Sequence, residues 1–312
     1  MIPIVSTPRF ERTVGRPCRT LTSPDDTSRV ITRGDARARA MTLLRAAGDD
    51  TAPLDADLLL AHVCALRKEE LYAHLDAPLA GSEDAAYQAL VARRARGEPV
   101  AYLRGYKEFF GLRFAVDRRV LIPRPETEVL VETALGFIRD TGGTSVADVG
   151  TGSGAIAVAL AVSEPRLRVV ATDVSPGALE VARANAAAHG VAARVELRQG
   201  DLLTPLEGAV GVVTANLPYL PDGAVARWSR ERTSLAFEPR EAVVAGPDGL
   251  DVIRRLLVQL PERLLPGGAV FLECDPAQAE ATAAVVRTAA GGRVRVVADL
   301  TGAPRVVVGE RP

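Results

Sequence analysis

Val146-Ala147-Asp148-Val149-Gly150-Thr151-Gly152-Ser153-Gly154-Ala155 runs from an apolar, β-branched segment through three glycines in five residues into the alanine-rich stretch Ala155 to Ala161. A strand that stops at a glycine loop and restarts as a helix is the opening unit of an open α/β sheet, whose ligands bind beyond the carboxyl ends of the strands. Strand-like runs recur at Arg168 to Thr172, Arg194 to Leu197, Val210 to Val213, Ala269 to Glu273, Val294 to Val297 and Arg305 to Val308. Together with Val146 to Val149 they predict seven strands. Helical segments at Ala155 to Ala161, Pro176 to His189 and Leu250 to Leu264 separate earlier strands, which argues βαβ units and a parallel sheet covered on both faces. The last two strands are joined only by Asp299 to Pro304, too short for a crossover helix, and are expected to pair antiparallel.

Ser175 is a good N-cap, Pro176 suits the first helical position, and Gly190 suits the left-handed residue that ends a helix. Asp173 is thereby expected at the carboxyl end of the second strand, in the ligand-binding loop layer.

Upstream, residues 1–32 mix proline, serine, threonine and arginine without a period and are read as a flexible arm. Residues 33–98 carry a helical period in leucines such as Leu43-Leu44, Leu58-Leu59 and Leu90, broken at Gly48, Pro53, Pro78 and Gly81, and predict a small helical domain. Asp55 or Asp57 is expected to cap its second helix, and His62 and His74 to lie on partly exposed faces. In residues 99–125, two extended segments, Phe109 to Val116 and Val120 to Ile122, broken at Asp117-Arg118, predict a hairpin linking this domain to a catalytic domain at 126–312.

The chain has 312 residues, 47% hydrophobic, and a net charge of −1, so it can bury a sizeable core and lacks the charge of a bulk nucleic-acid binder. From Arg93 to Arg124 nine basic residues face three acidic ones, a local excess suited either to an acidic partner or to a solvated linker surface. The three cysteines, Cys18, Cys64 and Cys274, share no metal or disulfide spacing, which suits a reduced cytoplasm and no metal site. No signal peptide or membrane span is expected.

Gly150, Thr151, Gly152, Ser153 and Gly154 allow close approach of a cofactor to the backbone, and Asp173, 23 positions past Gly150, can bind both ribose hydroxyls. On this loop alone a hydride-transferring dehydrogenase stays open, because the string also fits the dinucleotide pattern. Asp201 and Leu202, after the third strand, can meet an adenine amine and cover its ring. After the fourth strand comes Asn216-Leu217-Pro218-Tyr219. The Asn216 Oδ1 and the Leu217 carbonyl can accept both N–H bonds of a planar NH2 group, Pro218 fixes the backbone and Tyr219 stacks on the plane. Methyl transfer from S-adenosylmethionine to such a nitrogen is the chemistry this arrangement predicts, with Asn216 also touching the cofactor.

These residues resemble the class I S-adenosylmethionine-dependent methyltransferases that modify the glutamine of peptide-chain release factors. The resemblance rests further on Val120-Leu121-Ile122-Pro123-Arg124-Pro125-Glu126-Thr127-Glu128, on Phe110 to Phe114, which is similar to the family's hairpin, on Glu238-Pro239-Arg240 and on Gly246-Pro247-Asp248-Gly249-Leu250. It implies a Rossmann-like seven-stranded sheet with a reversed last strand, a helical domain at 33–98 that recognises substrate, and transfer to the glutamine N5 of a release-factor Gly-Gly-Gln motif. Leu217 stands where the family usually has proline, and Glu273 to Gln278 replaces a segment that commonly carries glycine. An adenine-N6 methyltransferase of ribosomal RNA or DNA, a glutamine methyltransferase with another protein substrate, and a cofactor binder without turnover are the competing readings. No stable nucleic-acid binding is expected, and the oligomeric state is not legible.

Overall fold

The computed structural model describes residues 30–224 and 234–312; the expected arm lies, through residue 29, outside the described residues, as does Cys18. Thr32 opens the helical part with a capping box: its hydroxyl accepts the Asp35 N–H while the Asp35 carboxylate accepts the Thr32 N–H. Helices α1 (Arg33–Ala46), α2 (Ala52–Val63), α3 (Lys68–Ala73), α4 (Gly81–Arg94) and α5 (Val100–Arg104) bury Leu44, Leu59, Leu60, Leu71 and Tyr87 between them. Neither Asp55 nor Asp57 caps α2, contrary to expectation. With Pro53 in its first turn, α2 begins at Ala52, so both carboxylates fall inside the helix and bridge outward. Asp55 pairs with Arg94 at 2.6 Å, and Asp57 holds Arg37 and the Tyr72 hydroxyl. His62 and His74 are exposed.

The hairpin departs from the position that the strand pattern predicts and falls at Phe110 to Phe114, where the resemblance implies one. Strands β1 (Tyr106–Phe109) and β2 (Leu112–Ala115) reverse at Phe110-Gly111, and Val120-Leu121-Ile122 joins no ladder. Phe110 and Gly111 have φ of 51° and 70°, the left-handed pair that a two-residue hairpin turn needs. A phenylalanine is an unusual occupant of that position; the buried rings of Phe109 and Phe114, edge to face at 6.0 Å, anchor the turn from both strands.

Strands β3 (Ser145–Val149), β4 (Arg168–Asp173), β5 (Val195–Gln199), β6 (Val210–Ala215), β7 (Leu264–Glu273), β8 (Val294–Ala298) and β9 (Pro304–Glu310) form one sheet in the order β5-β4-β3-β6-β7-β9-β8. The first five are parallel, and β9 runs antiparallel to both β7 and β8. Helices α6 (Glu128–Thr141), α7 (Ala155–Ser163), α8 (Pro176–Ala188), α9 (Asp251–Arg263) and α10 (Ala279–Ala290) cover it. One core, with Leu130, Ile138, Leu160 and Phe271, lies on one face, and a second, with Val213, Leu256, Leu260 and Val286, lies on the other. Strand order reverses between β3 and β6, which opens a crevice at their carboxyl ends. Among the described residues no helix is long and apolar enough to cross a membrane, and no group of His, Cys, Asp and Glu could hold a metal.

One buried side chain joins hairpin, helix and glycine loop. The Asn185 Oδ1 on α8 accepts the Ala115 N–H at 2.8 Å, and its Nδ2 donates to the carbonyls of Ala115 at 3.0 Å and Ser153 at 2.8 Å.

Candidate active site

The crevice holds a cavity of about 350 Å³ lined by the glycine loop, Asp173, Asp201, Leu202 and Asn216 to Pro218. Its size falls within the range of small-molecule sites. The loop is pinned from beneath by Asp148, which accepts the Thr151 hydroxyl at 2.7 Å and the Thr214 hydroxyl at 2.9 Å. Complete burial pushes the Asp148 carboxyl up to about 6 against the pull of those hydroxyls. Sequence reasoning had treated Asp148 as a strand residue only; an acid inside an otherwise apolar strand is the signal that marks it.

Asp173 accepts the Gly152 N–H and the Ser175 N–H, one on each oxygen, both at 2.9 Å. Burial raises its pKa while these backbone bonds lower it. Each oxygen keeps a further lone pair for a hydroxyl donor. Leu202 has φ of 55°, and its carbonyl accepts the Thr172 hydroxyl at 2.8 Å, so a strained backbone is held in place at the cavity wall. Asp201 pairs through Oδ1 with Arg255 of α9 at 2.5 Å. Gly154, grouped with the cofactor loop on sequence, is not on the cavity wall. A Cβ there would stand 3.1 Å from that of Ala182, and its φ is 78°, so it permits close packing of α7 on α8.

Beyond Asn216 and Pro218 lies a second cavity of about 390 Å³, walled by Arg124, Glu126, Tyr219, Leu235, Glu273 and Arg305 among others. Tyr219 faces this cavity rather than the first, and burial raises its hydroxyl pKa. Asn216, shared by both cavities, donates from Nδ2 to the Thr127 hydroxyl at 3.1 Å, which leaves Oδ1 as an acceptor. The buried Leu217 side chain packs on the glycine loop; a Cβ on Gly150 would lie 2.9 Å from its Cδ2.

Two braces fix these loops. The Gln278 Nε2 donates to the carbonyls of Tyr219 at 2.9 Å and Asp248 at 2.8 Å, joining the two segments. The buried Glu238 carboxylate accepts the Ile122 N–H at 3.1 Å and Arg124 Nη2 at 2.5 Å, locking the Val120 to Glu128 segment over the crevice. Thr127, Glu273 and Gln278 were not singled out as individual site residues on sequence; only the tertiary fold brings them to Asn216 and Tyr219.

The basic excess between Arg93 and Arg124 is largely compensated. Arg93 and Arg118 pair with Glu98, Arg94 with Asp49 and Asp55, Arg104 with Glu108, Arg119 with Asp117 and Glu180, and Arg124 with Glu238. Arg113 lies over the Tyr106 ring at 4.1 Å.

Residues 35–105 match the PrmC N-terminal domain family and residues 126–229 the methyltransferase small domain family. The release factor glutamine methyltransferase of Moorella thermoacetica is 41% identical over 283 residues, covering 90% of this chain and 99% of that one. That of Cereibacter sphaeroides is 42% identical over 278 residues, covering 89% and 98%. Among solved structures, the hMettl16 catalytic domain in complex with MAT2A 3'UTR hairpin 6 has a TM-score of 0.52 at 15% identity, covering 73% of this chain and 81% of that one. At that identity the likeness is one of fold alone.

Proposed function

Since the chain belongs to the release factor glutamine methyltransferase family, we infer that it methylates the side-chain amide nitrogen (N5) of a glutamine, using S-adenosylmethionine, in the Gly-Gly-Gln motif of a class 1 peptide-chain release factor. The observation that carries this reading is the meeting of two cavities at Asn216, one with a glycine loop and a ribose-suited carboxylate, the other with Tyr219.

The residues of the first cavity fit the cofactor. Gly150 and Gly152 have positive φ and bring backbone close to the cavity, Asp173 offers two oxygens, and Leu202 offers an apolar face. When bound, S-adenosylmethionine supplies an electrophilic methyl group. The chain's own residues then have three tasks. Asn216 Oδ1 and the Leu217 carbonyl accept the two amide hydrogens, which orients the nitrogen toward the first cavity and stabilises positive charge growing on it. Tyr219 flanks the amide plane on the side of the second cavity. Leu217, in the place of the family proline, supplies the same carbonyl acceptor and packs its side chain on the glycine loop. We infer the cytoplasm as the compartment of the reaction; the free thiols of Cys64 and Cys274 support that reading.

The test is transfer of a labelled methyl group with three substrates: a release factor, its Gly-Gly-Ala variant and ribosomal RNA. One methyl on the glutamine, lost in the alanine variant, is expected. Label entering RNA instead would overturn the reading in favour of adenine.

A further inference from the structure

Glu273 ends β7 directly beside the end of β6, since Leu272 pairs with Ala215 and Asn216 follows next. Only 1% of its surface is exposed, it lines the second cavity with Asn216, Pro218 and Tyr219, and its Oε2 has no hydrogen-bond partner among the described residues. Arg305 of β9 lies near enough to act on it electrostatically, yet that guanidinium is bonded to Asp299. A carboxylate oxygen buried without a donor is strongly unfavourable and calls for a partner that arrives from outside.

A second observation ties Glu273 to Asn216, the residue that orients the reacting amide. The Thr127 hydroxyl accepts the Asn216 Nδ2 at 3.1 Å and lies near enough to the Glu273 carboxylate to lower its pKa. A hydroxyl has one proton to give. If it gives that proton to the carboxylate, its lone pair faces Asn216 and must meet an N–H, so the amide is held with Nδ2 toward Thr127 and Oδ1 outward.

We propose that Glu273 is a further substrate-side residue: through Thr127 it holds the Asn216 amide with Oδ1 turned to the substrate, and its second oxygen accepts a backbone N–H of the glutamine-bearing segment. This rests on the glutamine methyltransferase reading given above. A Gly-Gly-Gln segment suits the role, because glycines leave their backbone N–H groups uncovered by side chains. The role is distinct from the two acceptors on Asn216 and Leu217, which serve the side-chain amide itself.

Charge state enters next. The groups around Glu273 are Arg124, Glu126 and Thr127 from the segment before α6, Tyr219 from the loop after β6, Arg305 from β9, and Cys274 and Asp275 just past the end of its own strand. Burial pushes the Glu273 carboxyl up to about 7, with Thr127 and Arg305 opposing. Protonated, Glu273 offers its own O–H to Thr127, the Thr127 proton turns toward Asn216, and the amide is driven to flip. Activity supported by Glu273 is therefore gained as pH rises through about 7.

The experiment uses the full chain and an intact release factor. Glu273→Gln, Thr127→Val and Thr127→Ser are compared with wild type for S-adenosylmethionine affinity, melting temperature, release-factor affinity, and kcat/KM between pH 6 and 8.5. Glu273→Gln and Thr127→Val are expected to lower kcat/KM for the release factor roughly ten- to hundredfold, with cofactor affinity within about twofold of wild type. Thr127→Ser should recover most of the loss. The rise of rate across pH 7 should vanish in Glu273→Gln. Wild-type kcat/KM with an unchanged pH limb in Glu273→Gln would overturn the inference while the methyltransferase reading stands. Loss of cofactor affinity or melting temperature in step with rate would also overturn it and assign the carboxylate to folding. A wild-type protein that binds cofactor but labels no glutamine would overturn the broader reading, and this inference with it.

Discussion

Replacing Gly150 by alanine tests whether the glycine loop and the substrate loop share one wall. The backbone at Gly150 has φ of 68°, a left-handed conformation that disfavours a side chain by about 1–2 kcal/mol. The new methyl would stand 2.9 Å from Leu217 Cδ2, short of the 3.4 Å at which ordinary contact begins. Overpacking of this kind costs about 1–3 kcal/mol in a well-filled interior. Gly150→Ala alone is thus expected to destabilise by roughly 2–5 kcal/mol, the two terms together. Leu217→Ala opens space at the same point, so in that background only the backbone term remains, about 1–2 kcal/mol. The two substitutions should therefore couple by about 1–3 kcal/mol. Urea unfolding of the four proteins measures this directly, and calorimetric titration with S-adenosylmethionine shows whether the single alanine also weakens cofactor binding. Additivity within about 0.5 kcal/mol would refute the shared wall.

Asn216→Ala should slow methyl transfer by about a hundred- to thousandfold, in line with loss of one acceptor aimed at developing charge, while cofactor affinity measured by calorimetry stays within about threefold. A collapse of cofactor affinity would instead show that Asn216 holds the cofactor. Gln278→Ala removes the donor to the Tyr219 and Asp248 carbonyls and should destabilise by about 1–3 kcal/mol in chemical unfolding; an effect under about 0.5 kcal/mol would show that the brace is dispensable. Asp148 has a folded pKa of about 6 against an ordinary 3.8, so the folded state holds its proton more tightly than the unfolded chain does. Its contribution is complete below the ordinary value and is lost as pH rises through about 6, on the order of 3 kcal/mol in all. Unfolding midpoints of wild type should accordingly fall between pH 4.5 and 7 relative to Asp148→Asn, and parallel curves would count against a buried, proton-holding Asp148.

The sheet was legible because most of its parallel strands are apolar, β-branched runs, and the short link Asp299 to Pro304 allows only an antiparallel return. The place of the glycine loop and of Asp173 at the cavity was legible because it depends on backbone conformation and chain spacing. The strand pattern alone misplaced the hairpin because its turn uses Phe110 in a left-handed conformation that local propensity does not favour; the burial of Phe109 and Phe114 overrides it. Helix α10 was not singled out on sequence; half of Ala279 to Ala290 is alanine, which carries little helix-face signal, although Thr282, Ala283 and Val286 are buried. Gly154 was read as a ligand contact when the tightness there is between helices. Thr127, Glu273 and Gln278 sit far from residues 216–219 in the chain, and only sheet order and loop closure make them neighbours.

The three hydrogen bonds of Asn185 have a consequence for how the molecule opens. Its single amide is spent on both backbone groups of Ala115 and on the Ser153 carbonyl. Strand β2 cannot part from α8 without releasing the amide that also holds the glycine loop. Hairpin and loop should therefore open as one cooperative unit, with their amide protons exchanging at a common rate that slows in parallel when the cofactor binds. A ligand held only in the first cavity would in that way stiffen the hairpin that leads to the helical domain, although it touches no residue of β2.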